Sequence, residues 1–104
     1  MTNSKRNSQN LKKIARLQFA EYLRTKRLEA GLTQSDVAKK LKFKNAQFIS
    51  NIERGLAPVP FSTLKLLMKC YNMSYEELSE RYLELQKSIF MGELGASPSD
   101  LKSA

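Results

Sequence analysis

The sequence predicts an all-α fold of five helices, and three features carry that expectation. Apolar residues recur at helical spacing along most of the chain, the pattern that turns one stripe of each helix toward a core. Two start signals of one kind, Thr33 with Asp36 and Ser74 with Glu77, set a hydroxyl and a carboxylate at the capping-box separation. Gly31, Gly55 and the run LAPVP then supply stops where the stripes break. A chain of 104 residues has room for one small domain of this type.

Residues 1–9 lack periodicity and are rich in Asn, Ser, Lys and Arg, which reads as a flexible basic arm. Helix 1 is expected over 10–30, with Leu11, Ile14, Ala15, Phe19, Leu23 and Ala30 inward and Gly31 as its stop. Thr33 is placed as N-cap of helix 2, over 34–42, whose inner stripe is Val37, Ala38 and Leu41. Asn45 is a credible cap for helix 3, over 46–54, with Ile49 and Ile52 buried one turn apart. So short a helix holds only when packed on its neighbours.

The prolines of LAPVP forbid continuous helix and make it a connector, with Pro60 suited to the first turn of the next helix. Helix 4 is expected over 61–71, with Phe61, Leu64, Leu67, Met68 and Tyr71 inward and Asn72 just past its end. Helix 5 is expected over 75–91, opened by the Met73–Leu78 staple. Its residues Tyr75, Leu78, Tyr82, Leu85 and Ile89 are spaced like a heptad seam, with Leu83 and Phe90 on a second flank. Two uses are open to the seam: packing on helix 1 within the chain, or serving as a dimer interface. Residues 92–104, with Gly, Ser, Pro and few apolar residues, read as a disordered tail, which leaves 10–91 as the domain.

Composition narrows the function. The chain has no histidine and one cysteine, Cys70, within an apolar stretch where a small core residue fits. No metal cluster, nucleophile with its base, or phosphate-cradling glycine loop is visible, so neither an enzyme nor a cofactor is expected. No apolar run approaches a membrane span and the N-terminus carries no signal-peptide pattern, so a cytoplasmic protein is expected. The net charge of +8 is unevenly placed: Lys and Arg outnumber Asp and Glu 15 to 4 over residues 1–72 but are outnumbered 3 to 6 over 73–104. Basic excess gathered in the folding part makes nucleic acid the leading partner class.

Two short helices joined by a turn, the second polar on its outer face, suggest a helix-turn-helix. The residues also carry a resemblance. GLTQSDVAKKL followed by FISNIERG and then SYEEL resembles the phage repressor and Cro type of DNA-binding domain, the XRE family, from about Phe19 to Leu78. The resemblance implies a five-helix, lambda-repressor-like domain with helix 3 in the major groove. The chain departs from the family at LKFKNAQ, where Lys42 stands in the usual glycine place and the turn is one residue longer. Helix 3 is therefore aligned backward from IERG.

Base edges in the major groove are read by side chains with matched donors and acceptors, and an amide can bond adenine N6 and N7 together. Helix 3 offers Asn45, Gln47, Ser50 and Asn51 for this, with Gln47 and Asn51 four apart on one face. The resemblance puts Gln47, Asn51 and Ala46 at base-contacting positions. For the phosphates, Gln34 begins helix 2, Lys42, Lys44 and Arg54 flank helix 3, and Arg24, Lys5 and Arg6 reach toward backbone or minor groove. Gln34 also matches a phosphate-contact position of the family. The resemblance pairs Arg27 with Glu53 as a structural salt bridge. Phe48 either buries an edge against helix 2 or the longer turn or makes an apolar base contact, and Phe43 in the turn is expected to plug the core.

The function expected is sequence-specific binding of double-stranded DNA by a bacterial or phage transcriptional regulator. It would be a repressor that occupies its operator as a homodimer, cytoplasmic and nucleoid-associated when bound. The second reading is a protein-interaction module, such as an antitoxin-like partner with secondary or no DNA binding.

Overall fold

The computed structural model describes residues 3–95, with side chains from Asn10 onward, and builds them into five helices with no strand. They are α1 Asn3–Glu29, α2 Gln34–Lys40, α3 Gln47–Glu53, α4 Phe61–Cys70 and α5 Tyr75–Glu93. The all-α expectation holds, with shifted ends. Residues 3–9, expected as a flexible arm, continue α1. No Pro or Gly interrupts them, and Lys5, Arg6 and Gln9 are good helix formers. Residues 92 and 93 finish α5, Leu94 and Gly95 form the turn that caps it, and the rest of the expected tail, 96–104, lies outside the described residues, as do residues 1 and 2.

Four helices end in the same way. Met73 N–H reaches Met68 O at 2.8 Å across Asn72 at φ 56°, Phe43 N–H reaches Ala38 O at 2.8 Å across Lys42 at φ 61°, Leu32 N–H reaches Arg27 O at 3.2 Å across Gly31 at φ 73°, and Leu56 N–H reaches Asn51 O at 2.9 Å across Gly55 at φ 71°. Each is a left-handed cap that satisfies the last carbonyls of its helix. Lys42 therefore performs the task of the glycine it replaces, at a backbone cost of about 1–2 kcal/mol. Helix α2 stops two residues before the expected Lys42 because that reversal begins at the Leu41 cap.

The helix starts differ from one another. Thr33 and Asp36 form the complete box: Asp36 N–H donates to Thr33 Oγ1 at 3.0 Å and Thr33 N–H to Asp36 Oδ2 at 2.9 Å. At α5 only half a box forms. Ser74 Oγ accepts the Glu77 N–H at 3.0 Å, but the Glu77 carboxylate turns to α1, accepting from Tyr22 Oη at 2.6 Å and pairing with Lys26 Nζ at 2.7 Å. A tertiary clasp has replaced a local one.

From that clasp α1 and α5 run antiparallel, with Phe19 against Tyr82 and Leu11 against Gly92 successively further from it. The core beneath them is Leu23, Val37, Ile49, Ile52, Leu64, Leu67, Met68, Tyr71 and Met73. On α1 the buried stripe runs through Ala15, Ala20, Leu23 and Arg27, which leaves Ile14 half exposed and Ala30 exposed, against expectation. Phe61 is also outside, 73% exposed, because the first position of α4 points past the core and its ring meets Tyr82 edge-on.

Most of the helix 5 seam packs within the chain. Leu85 is buried, and Leu78, Tyr82 and Ile89 are half-buried; of the five candidate dimer residues only Tyr75 is exposed. Packing on α1 within the chain thus takes most of the seam.

Lys26 first, and then Tyr22, hold the Glu77 carboxyl below the usual glutamate range. A carboxyl depressed by folding stabilises at pH above its unfolded value, and that contribution is lost as pH falls through the folded value. Acid should therefore loosen the α1–α5 clasp from the ordinary glutamate range downward. Lys26→Gln should move the Glu77 titration, followed by carboxyl NMR shifts, back up; an unmoved titration would deny Lys26 the leading part.

Candidate nucleic-acid interface

Helices α2 and α3 are joined by residues 41–46, and α3 is held from behind. Ile49 and Ile52 enter the core, while Phe48 meets Phe43 edge-on at 5.4 Å, both half-buried at the core's rim. Phe48 is thus committed to packing. Gly55, at φ 71°, ends the helix so close to α1 that a Cβ there would lie 2.5 Å from Leu17 Cδ2. A side chain there would displace the Leu17 methyl and strain a left-handed backbone.

Glu53 points inward, and its carboxylate is the hub of the site. Arg27 Nε donates to Oε2 at 2.7 Å and Nη2 to Oε1 at 3.0 Å, a bidentate pair with both side chains buried. The same guanidinium holds Leu32 O through Nη1 at 2.8 Å, and Gln34 Nε2 donates to Glu53 Oε1 at 3.0 Å. Planar fork geometry makes such contacts directional. Helices α1, α2 and α3 and the α1–α2 turn are fixed to one another through a single carboxylate. Two of these partners, Leu32 O and Gln34, were not legible in the sequence.

Gln34, expected on a phosphate, is partly engaged within the fold. One of its N–H groups is turned inward to Glu53, and the side chain is only partly exposed. The N-cap expected at Asn45 is corrected. The cap position by backbone geometry is Ala46, and Asn45 caps from one residue further out, its Oδ1 accepting the Gln47 N–H at 2.9 Å. That leaves the amide donors of Asn45 and one lone pair of its oxygen for another partner.

On the outer face, Gln47 Nε2 donates to Asn51 Oδ1 at 2.9 Å. The pairing aligns the two amides and leaves Gln47 Oε1, a Gln47 N–H and the Asn51 NH₂ to face outward. Ser50 beside them is half-buried. Lys42, Lys44 and Arg54 are exposed at the two ends of α3. Arg24 is exposed on α1 and pairs with Glu21 at 3.5 Å. Cys70 is half-buried and burial pushes its thiol up, the behaviour of a packing residue.

A helix-turn-helix family profile matches residues 23–78, from the buried Leu23 of α1 to Leu78 of α5, and so contains the whole Arg27–Gln34–Glu53 assembly. The chain belongs to the XRE family. Its members are DNA-binding transcription regulators rather than enzymes. No curated protein and no solved structure matches the chain. Within the XRE domain the α2–α3 turn carries the left-handed Lys42 and the Phe43–Phe48 contact. Among the described residues no helix is long and apolar enough to cross a membrane.

Proposed function

We propose that this XRE-family chain is a repressor that occupies operator DNA by laying α3 in the major groove. The observation that carries the reading is the paired amide edge of Gln47 and Asn51 on a helix whose orientation is fixed by Arg27 and Glu53. An edge with one acceptor and several donors suits adenine N6 and N7. Asn45 and Ser50 flank that edge and add donors. Lys42, Lys44 and Arg54, exposed beside it, contact phosphates, with the second Gln34 N–H and Arg24 as further contacts.

One helix reads few base pairs, so the operator in this reading is a palindrome with half-sites about 34 Å apart, bound by a homodimer. Leu85 is covered by α1, which leaves Tyr75 with the outer flank Leu83 and Phe90 to meet the second copy.

Selection of bound sequences from a random duplex pool tests target and symmetry together. Gln47→Ala and Asn51→Ala should each weaken the selected sequence by ~1–3 kcal/mol while leaving binding to random duplex unchanged. Absence of any duplex binding at low salt would defeat the proposal and leave the antitoxin-like reading in its place.

A further inference from the structure

Lys12, Arg16, Ala20, Leu23 and Arg27 succeed one another at helical spacing and form a single stripe of α1. From Ala20 to Arg27 that stripe is buried. One and two turns earlier it carries Arg16 and Lys12, both exposed. A helix prolonged only to pack would keep this stripe apolar. Here it changes from apolar to cationic where it leaves the core.

The change coincides with a concavity. Lys12, Lys13 and Arg16 line a hollow of about 580 Å³ whose other wall is Gly55 and Leu56, immediately after Arg54 at the end of α3. Leu17 of α1 lies over Gly55 at that point. None of the three cations pairs with a carboxylate of a described residue, whereas Arg24, Lys26 and Arg27 on the same helix each do. Basic side chains have been left unneutralised in one place only along the described part of α1, and that place adjoins the recognition helix.

A helix lying in a major groove leaves it across a phosphate strand. We propose that Lys12, Lys13 and Arg16 form a second phosphate-binding ridge, which grips the duplex backbone beyond the base pairs that α3 reads. The proposal rests on α3 entering the major groove. Each phosphate neutralised releases counterions and steepens the salt dependence of binding by about 0.9 in log–log slope. The ridge adds affinity without adding sequence preference.

The test uses the full chain and compares Lys12→Gln/Lys13→Gln/Arg16→Gln with a control of equal charge loss, Lys65→Gln/Lys69→Gln/Lys87→Gln, on the selected duplex with long or trimmed flanks. The ridge variant should lower the salt slope by about 2–3, keep the sequence preference, and match the unsubstituted chain once the flanks are trimmed. The control should keep the original slope, and circular dichroism should show both variants folded. An unchanged slope in the ridge variant, which would leave the ridge to an acidic protein partner, overturns the proposal, as does an equal loss in the control. If the unsubstituted chain binds and Gln47→Ala loses selectivity, that failure concerns the ridge alone; if the unsubstituted chain binds no duplex, the major-groove reading has failed first.

Discussion

Replacing Arg27 by methionine should lower folding stability by about 3–5 kcal/mol, read as a fall in the urea midpoint, because Glu53 is then left buried without its cation. For a small domain stable by about 5–15 kcal/mol this approaches unfolding. The remaining donor, Gln34 Nε2, satisfies one oxygen of the carboxylate and cannot neutralise it. Substituting both partners, Arg27→Met with Glu53→Met, should restore much of the loss, since well-packed apolar pairs often replace buried ion pairs at little cost. The double variant separates two roles. Recovered stability with DNA affinity still reduced would show that the pair orients α3; a cost below about 1 kcal/mol for the single variant would show that water reaches Glu53.

Leu23→Ala should cost about 2–5 kcal/mol through lost burial and the cavity left behind. Leu23 is 1% exposed, one turn from Arg27 on the same stripe, and packs in the core with Val37, Ile49, Ile52 and Leu67. Leu28→Ala on the opposite side of α1, at 51% exposure, is the matched control and should stay within about 0.5 kcal/mol. Calorimetric or urea unfolding of the two variants checks the difference. Equal effects would mean that the stripe faces elsewhere.

Leu23 and Ile49 declare themselves in the sequence by periodicity, which is a local property, and so do the cap at Thr33 and the stop at Gly55. The ends of α1 and α5 were less legible because no local signal marks them: α1 continues through residues 3–9 simply for want of a breaker. Glu77 shows the other kind of difficulty. Its spacing from Ser74 fits a capping box equally well whether or not Tyr22 and Lys26 stand opposite, and the tertiary partners won. The site shows the same division. Helical spacing put Gln47 and Asn51 on one face, while the inward turn of Gln34 depended on where Glu53 came to rest, across a separation no sequence pattern reports.

The inward carboxylate has a consequence for approach as well as for orientation. From Val37 to Tyr75 the chain carries seven basic residues and a single acidic one, Glu53. Folding removes that one from the surface and cancels it against Arg27 at close range. An incoming polyanion therefore meets no repulsive charge anywhere from the middle of α2 to the first residue of α5, although one had to be present to hold α3 at its angle. The domain keeps its anchor electrically silent.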